Sequence, residues 1–415
     1  MASEWRVRTL GELTDNFDSV RVPVKEADRH PGPYPYYGAS GAVDSVDGFL
    51  FEGEYLLVAE DGENLRTRTT PVAFLARGKF WVNNHAHIMR GNAEADTRFL
   101  MYALSATDIG GYLTGSTMPK LTQGNMNRIP LPAPSLREQR AIAHILGTLD
   151  DKIELNRRMS ETLESMARAL FKSWFVDFDP VRAKAEGRDT DLPPHIADLF
   201  PDSFEDSELG EIPQGWKVKP VGDLAVVAGG TTPSTKEPEY WDGGTHAWAT
   251  PKDLSGLSVP VLLDTEWRIT DAGLAQIGSG LLPKGTVLLS SRAPIGYLAV
   301  AEIPVAINQG FIAMTPKVGT PSVFLLLWAR MAHAEIVSRA NGSTFLEISK
   351  ANFRPIPVVT PSADVMRVFE ELARPLHERI VESTRESRTL AALRDILLPT
   401  LLSGAIRPDV LENTR

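Results

Sequence analysis

The chain has 415 residues, of which 43% are hydrophobic and 23% charged, a composition typical of a globular protein with two or three domains. It contains no cysteine, which excludes a disulfide framework, a thiolate metal site and a cysteine nucleophile, and its net charge of −10 is unfavourable for a free-standing nucleic-acid-binding protein. We find no secretory signal and no apolar run long enough to cross a membrane, so we expect a cytoplasmic protein with no membrane partner.

The first 135 residues are rich in glycine, proline and short apolar runs. The runs at 55–58 and 80–82 are bounded by Gly, Asn and Asp, which is typical of β-strands, whereas 96–106 has a helical pattern. Residues 1–135 are therefore predicted to form a first domain of mixed α and β structure.

The following segment, 136–176, is predicted to be one long helix. Residues 138–175 contain no proline, and apolar residues recur at intervals of three and four from Ile142 to Trp174. Asn156 and Ser160 interrupt this stripe at its middle. Ser135 followed three residues later by Glu138 has the spacing of a capping box, which places the start of the helix.

A second domain and a second helix follow. Residues 177–210, with several acidic residues and prolines, are predicted to be an irregular connector with a short helix near 195–200. Residues 211–361 repeat the mixed pattern, and 362–402 repeat the apolar stripe, broken by Ser383 and Ser387. Pro375 lies inside this second helix and should kink it or break it. Residues 403–415 form a tail.

The two halves of the chain are copies of one unit. Residues 115–134 and 342–361 are identical at seven of 20 positions under a constant offset of 227, and the same offset aligns the two apolar stripes. Neither long helix can bury its stripe on a small domain alone, so we expect the two to pack together. The predicted fold class is α+β, with two tandem mixed domains joined by two long helices in an antiparallel coiled coil, arranged as a pseudo-twofold internal repeat.

The sequence lacks the motifs of common catalytic sites. It has no P-loop, no dinucleotide fingerprint, no amino-methyltransferase signature and no nucleophile elbow. His85 and His87 face the same side of a strand, but no further ligand stands at metal-binding spacing, so we expect no metal site. Two similar modules at a fixed separation favour recognition of a two-part target such as DNA.

The sequence resembles the specificity (S) subunit of Type I restriction-modification systems. The resemblance covers essentially the whole chain and is carried by YPYYGASG (34–41), GKFWVNNHAHIM (78–89), GGTTPST (229–235), INQGF (307–311) and the stretch 149–184. It implies that each domain is a target-recognition domain reading one half of a split, asymmetric site in double-stranded DNA. It also implies that the helix pair sets the spacer between the half-sites.

The resemblance further implies partners that carry the chemistry. Two modification (M) subunits would dock on the chain and supply S-adenosylmethionine and adenine methylation, and a restriction (R) subunit, where present, would use ATP and Mg. This chain would then be non-catalytic and hold no cofactor. Alternatives are a duplicated coiled-coil adaptor for two protein partners and a specificity partner for a related enzyme that cleaves on both sides of its site.

Candidate DNA contacts are Arg, Lys, Asn, Gln, Ser, Thr and His side chains near predicted strand ends and loops. Each of them is also compatible with a plain structural role in a turn or a solvated surface. In the first domain they are Arg66, Arg68, Lys79, Asn83, Asn84, His85, His87, Ser116 and Thr117. In the second they are Thr231, Thr232, Ser234, Lys252, Ser290, Ser291, Arg292, Asn308, Gln309, Ser343 and Thr344.

Neither domain has the basic composition of a strong DNA binder. Residues 1–135 contain 13 Lys and Arg against 16 Asp and Glu, and residues 211–361 contain 12 against 12. Little counterion release is available to drive binding by this chain alone. We therefore expect the modification subunits to supply much of the contact with phosphates.

Overall fold

The computed structural model describes residues 5–342 and 346–408, and the chain divides into two compact units. Unit 1 combines the residues up to Ile153 with those from Thr389 onward, and unit 2 is Glu154–Arg388. Both boundaries fall inside long helices. Each unit therefore contains a segment of both helices as well as one of the predicted domains.

Unit 1 consists of β-sheets with short helices, the first part of one long helix and the last part of the other. Its elements are β1 (Arg6–Thr9), α1 (Leu10–Leu13), β2 (Thr14–Asn16), β3 (Tyr34–Gly38), β4 (Gly41–Val46), β5 (Phe51–Ala59), α2 (Asn64–Thr67), β6 (Ala73–Val82), β7 (Ala86–Gly91), α3 (Thr97–Ala106), α4 (Gln123–Met126), β8 (Pro130–Ala133) and the first part of α5 (Leu136–Phe175).

The main sheet of unit 1 has six strands in the order β2-β7-β5-β6-β3-β4. Successive side chains of a strand point to opposite faces, so Leu56 and Val58 enter one hydrophobic cluster and Leu57 enters another. Both faces of the central strands are covered, which explains why these strands read as continuous apolar runs. A second, two-stranded sheet pairs β1 with β8 and leads into α5.

Unit 2 repeats this architecture with more elements. They are α6 (Asp179–Ala185), α7 (Pro194–Ala197), β9 (Phe204–Ser207), β10 (Gly210–Pro213), β11 (Lys217–Pro220), α8 (Val221–Leu224), β12 (Ala225–Ala228), β13 (His246–Ala249), α9 (Pro251–Ser255), β14 (Val261–Leu262), β15 (Trp267–Ile269), α10 (Asp271–Leu274), β16 (Val287–Ser290), β17 (Leu298–Ala301), β18 (Ala306–Ile307), β19 (Phe311–Pro316), α11 (Ser322–Met331), α12 (His333–Ser338), α13 (Lys350–Phe353), β20 (Pro357–Thr360) and α14 (Ala363–Leu402). The sheets of its domain have the orders β12-β19-β16-β17-β14, β15-β13-β18 and β11-β20.

The segment 177–210, predicted to be an irregular connector, carries α6, α7 and β9, and β9 pairs with β10, which begins at the end of that segment. Aromatic residues anchor it to the core of unit 2, because Phe178, Phe200 and Trp216 are buried in the same cluster as Trp174. Trp174 and Phe200 pack edge to face, with ring centroids 5.0 Å apart. Burial of these rings orders a stretch whose prolines and acidic residues suggested irregular structure.

The two long helices, α5 and α14, have 40 residues each and run antiparallel within each unit. In unit 2, Phe171 packs near Phe369 and Asn156 bonds Ser383, so positions later in α5 meet positions earlier in α14. In unit 1, the Arg394 guanidinium lies 2.8 Å from the Asp150 carboxylate, and Arg407, just after α14, lies 3.8 Å from Glu138 near the start of α5. α14 continues through Pro375 without the break that the sequence allowed.

The elements confirm the internal repeat. α4 and α13, β8 and β20, and α5 and α14 correspond under the single offset of 227. β1 and β11, and α1 and α8, correspond under an offset of 211. The fold class is therefore the predicted one, an α+β chain in which a mixed domain and a long helix occur twice.

Candidate nucleic-acid interface

Three polar segments of unit 1 meet at one end of its main sheet. They are Glu60–Asp61 after β5, the turn 83–85 between β6 and β7, and the loop 114–121. The Glu60 amide donates to the His85 carbonyl at 2.9 Å, and the Leu121 amide donates to the Glu60 carbonyl at 2.8 Å. We call this arrangement the loop site of unit 1.

Unit 2 builds the same loop site from corresponding residues. The Ser291 amide donates to the Gly310 carbonyl at 2.8 Å, and the Ile348 amide donates to the Ser291 carbonyl at 3.0 Å. The turns also match, because Asn83 Oδ1 accepts from the His85 amide at 2.8 Å as Asn308 Oδ1 does from the Gly310 amide. The predicted candidates Asn83 and Asn308 therefore act locally as turn formers.

The loop site of unit 1 exposes several of the predicted contacts. Asn84 lies exposed at the tip of the turn, and the half-exposed His85 ring lies 2.9 Å from the Asp61 carboxylate. Ser116 and Thr117 are exposed in the loop. The guanidinium of Arg66 donates to the Gly115 carbonyl at 3.0 Å and so stabilises this loop. The Arg66 side chain remains partly exposed.

The loop site of unit 2 exposes a different set of groups. Thr232 Oγ1 donates to Gln309 Oε1 at 2.6 Å, which joins the GGTTPST loop to the turn. Arg292 is partly exposed beside Glu347, at 3.6 Å. Thr231 and Ser234 are exposed in the same GGTTPST loop. The predicted contacts Ser343 and Thr344 lie outside the described residues.

Lys252 is the second residue of α9, whose first residue, Pro251, lies against Gly310 of this site, and its side chain is largely exposed. Its ammonium lies 2.8 Å from the Glu266 carboxylate. The hydrogen bond and charge of Glu266 raise the pKa of Lys252 above its usual value. A cation held at the surface in this way is suited to a phosphate.

Several predicted contacts are not available to a ligand. His87, Ser290 and Ser291 are buried, the last two inside hydrogen-bonded strand and turn structure. Arg68 is in the left-handed conformation and donates to the carbonyls of Ser105 and Thr107 at the end of α3, which gives it a capping role. Each of these polar residues forms hydrogen bonds inside the fold, which explains its presence in an apolar run or a turn.

Lys79 is exposed but lies on the strand β6 rather than in the loop site. Its ammonium sits 4.6 Å from the centre of the Phe49 ring, a cation–π contact. Sequence reasoning missed Asp61 and Lys120, which do belong to the site. The internal repeat could have revealed Lys120, because the offset of 227 aligns it with Glu347. Two corresponding positions with opposite charges indicate a place where the two domains differ in what they bind.

Beneath the loop site of unit 1 lies a group of five charged side chains, which we call the charge cluster. It consists of Asp18, Arg21, Glu60, His87 and Lys120. Burial raises the pKa of Glu60, but hydrogen bonds from Arg21 and Lys120 and the charge of His87 outweigh it and lower that pKa below its ordinary value. The cluster thus keeps its carboxylates ionised under the surface.

The part of the chain that the structure describes contains no group of three or more His, Cys, Asp or Glu side chains placed to hold a metal ion. None of the helices in the described residues has an apolar stretch long enough to span a membrane.

Comparison with known proteins identifies relatives of both halves. The family model described as Type I restriction modification DNA specificity domain matches residues 2–165 and again 213–365. The Type I restriction enzyme HindI specificity subunit of Haemophilus influenzae is 25% identical over 404 residues, covering 85% of this chain and 84% of the relative. The MjaIX specificity subunit of Methanocaldococcus jannaschii is 38% identical over 178 residues, covering 41% of each chain.

A solved structure has the same fold. The crystal structure of the Type I restriction-modification S subunit from M. genitalium superposes with a TM-score of 0.63 at 17% sequence identity. The superposition covers 98% of this chain and 96% of that one. At this identity the likeness concerns the architecture alone.

Proposed function

Since this chain belongs to the Type I restriction modification DNA specificity family, whose non-catalytic members recognise a DNA target, we propose that each of its two units reads one half of a bipartite target. The family model matches each half of the chain separately, which supports one reading module per unit. The target would be asymmetric, because the two loop sites carry different side chains.

One observation carries the proposal: the same backbone arrangement occurs twice with different chemistry at corresponding positions. Where unit 1 has Asp61, unit 2 has Arg292, and where unit 1 has Asn84, unit 2 has Gln309. Arginine matches the acceptors of guanine, whereas a carboxylate accepts from the cytosine amino group. Asn and Gln both match adenine but have different reach.

We assign direct contacts to the exposed groups of each loop site. In unit 1 these are Asn84, His85, Ser116 and Thr117, with Arg66 in support. In unit 2 they are Thr231, Thr232, Ser234, Lys252, Arg292 and Gln309. Hydroxyls and the Lys252 ammonium suit phosphate oxygens, whereas Arg292 and Gln309 suit base edges.

The proposed complex contains two modification subunits, one associated with each copy of the repeat, and a restriction subunit where the system has one. S-adenosylmethionine, ATP and Mg would be held by those partners, and this chain would hold no cofactor. The near-neutral balance of charges in both domains supports this division, because a chain with few spare cations gains little from counterion release.

The long helices would set the spacer between the half-sites. Each is about 60 Å long at about 1.5 Å per residue, and each runs without interruption from one unit into the other. A continuous helix is stiff, so its length between two reading sites is suited to fixing how many base pairs lie between their targets.

Mapping of methylated adenine tests the proposal. The chain is expressed with its modification subunit in a host lacking both, and the methylated motif is read across the genome. Gln309→Ala should relax one half-site at one or two positions and leave the other half-site and the spacer unchanged. Lys219→Ala, an exposed residue of β11 outside the loop site, is the matched control and should leave the whole motif intact.

Changes in both half-sites from the Gln309 variant would contradict the assignment of one half to each unit. A motif indifferent to variants at Arg292, Gln309 and Asn84 alike would favour the adaptor alternative, in which this chain joins proteins without reading bases.

A further inference from the structure

His87 was predicted to contact DNA, but its buried position points to a different role. Its side chain is only 2% exposed, with ring nitrogen Nε2 lying 2.8 Å from the Leu121 carbonyl and Nδ1 2.5 Å from Asp18 Oδ2. A carbonyl oxygen can only accept, so Nε2 carries a hydrogen. The second ring nitrogen then faces a carboxylate, and one further proton must lie between them.

The hydrogen-bonding geometry assigns that proton to the imidazole, because the other oxygen of Asp18 already accepts a backbone amide. Asp18 Oδ1 accepts from the Ile88 amide at 2.9 Å. Burial raises the pKa of Asp18, but the hydrogen bond and charge of His87, the Ile88 amide and Arg21 outweigh it and lower that pKa. Both ring nitrogens of His87 thus face acceptor oxygens, which is the geometry of an imidazolium that donates from both.

The other members of the charge cluster surround this imidazolium. Arg21 lies 3.6 Å from Asp18 and 2.9 Å from Glu60. Glu60 Oε2 lies 3.9 Å from His87 Nδ1, and Lys120 lies 3.2 Å from Glu60. Two carboxylates thus face three cations, and deprotonation of His87 would leave its Nδ1 lone pair against the Asp18 carboxylate.

His87 holds the loop that carries the exposed groups of the site. Leu121 is the last residue of the loop 114–121, and its carbonyl is the acceptor for His87 Nε2. The Lys120 side chain, one residue earlier, joins the same cluster through Glu60. Ser116 and Thr117 therefore lie on a loop whose last two residues are bonded to the charge cluster.

Unit 2 forms its loop site without a counterpart of the charge cluster. By strand register, Ile312 takes the place of His87 and Ser291 that of Glu60. Gly229 takes the place of Asp18, and Glu347 that of Lys120. The second unit is therefore an internal control for any property that depends on the charge cluster.

We propose that His87 is a positioning residue whose imidazolium holds the loop 114–121 of unit 1 in its reading conformation. Recognition of the half-site read by unit 1 then weakens as pH rises and His87 loses its proton, whereas recognition by unit 2 does not. The inference rests on the proposed function, in that each unit reads one half-site.

The test uses the complete complex of this chain with its modification subunits and duplexes containing the mapped target. Affinity is measured for the target and for duplexes with one base pair changed in either half-site, from about pH 6 to about pH 9. The ratio of the two affinities is the discrimination in that half-site. Discrimination in the unit 1 half-site should fall about tenfold, the effect of losing one charged hydrogen bond. Discrimination in the unit 2 half-site should change less than about twofold. Comparison of the two half-sites therefore removes the general effects of pH on DNA binding.

Asp18→Asn is the diagnostic variant. An asparagine at position 18 would keep accepting from the Ile88 amide through Oδ1 and would donate through Nδ2 to the Nδ1 of a neutral His87. The loop is then held without an imidazolium, so discrimination should stay high and become independent of pH. His87→Ile, which copies unit 2, should lower discrimination in the unit 1 half-site at every pH.

The unit 2 half-site reports that each variant complex is assembled and binds DNA, since its discrimination should remain that of the unmodified chain. Constant discrimination across pH in the unmodified chain, or an unchanged pH slope in Asp18→Asn, would overturn the inference. If variants at Asn84, Arg292 and Gln309 all failed to alter either half-site, the proposed function itself would fall, so the two failures are distinguishable.

Discussion

At the scale of single residues, several polar side chains of the two mixed domains are buried. Asn83, His87 and Ser290 all interrupt or end apolar runs, and each was predicted to contact DNA. In the structure all three are buried, because a turn, a charge cluster and a strand end each needed a polar group inside. Asn84 and His85 are exposed because they lie in the turn between β6 and β7, whereas His87 lies in the buried first part of β7.

Another buried ion pair yields a prediction for stability. Glu302 is only 7% exposed and lies 3.0 Å from both His377 on α14 and Lys284. Burial raises its pKa, but hydrogen bonds from His377 and Lys284 outweigh it and lower the pKa of Glu302 to about 2. Because the folded pKa lies below the unfolded one, the pair stabilises the fold above the unfolded pKa and loses this effect as pH falls toward the folded pKa.

We expect the unmodified chain to lose about 2 kcal/mol of unfolding free energy relative to Glu302→Gln between about pH 6 and about pH 3. Urea unfolding of both proteins at several pH values measures the difference. Glu371→Gln is the control, since Glu371 pairs with Arg367 on the exposed surface of α14 and should show little pH dependence. A difference between the Glu302 variant and the unmodified chain that stays constant over this range would refute the assignment.

At the scale of elements, the sequence predicted the long helices well because their signals are local and redundant. Apolar spacing, a cap at Ser135 and the repeat all agreed, and both helices have 40 residues. The connector was harder, since Phe178 and Phe200 become ordered only by packing on Trp174 and Trp216. Pro375 was misleading in the same way, because packing of Phe369 and Ala373 in the core favours a continuous helix over the local preference of proline.

A polar layer interrupts the packing of the two helices in unit 2. Asn156, at the start of its segment of α5, donates to Glu386 at 2.8 Å and lies near Ser383 and Ser387. Among the described residues, Asn156 Oδ1 and Ser383 Oγ are buried without a hydrogen-bond partner. Asn156 and Ser383 occupy the same position of the repeat, so the layer costs stability at a place where both copies kept a polar residue.

We predict that Asn156→Leu raises the unfolding free energy by about 1 kcal/mol, because it removes an unsatisfied buried oxygen. It should also loosen the register between the helices, since a single buried polar residue excludes shifted pairings. Urea unfolding measures the first effect, and adenine-methylation maps with more than one spacer length reveal the second. Ser165→Leu, on the exposed face of α5, should do neither. A destabilised Asn156 variant with one sharp spacer would contradict both expectations.

At the scale of the whole molecule, charge sets what this chain can do by itself. It has a net charge of −10. Among the residues that the structure describes, the cations of the loop sites are paired, since Arg66, Lys120, Lys252 and Arg292 each lie beside a carboxylate. A protein that neutralises few phosphates releases few counterions, so its affinity is low and depends weakly on salt. The base-contacting side chains would then distinguish one DNA sequence from another but would contribute little to the affinity for the duplex.

We therefore predict that the purified chain binds its mapped target at least about 100-fold more weakly than the complex with modification subunits does at physiological salt. The plot of log K against log salt should be shallow for the chain alone, with about two phosphate contacts or fewer, and steep for the complex. Titrations of labelled duplexes at several salt concentrations measure both slopes, with a scrambled duplex as the control for non-specific binding. Tight, salt-sensitive binding by the chain alone would mean that its own surface provides the phosphate contacts, and that the loop sites act with cations whose carboxylate partners are displaced by DNA.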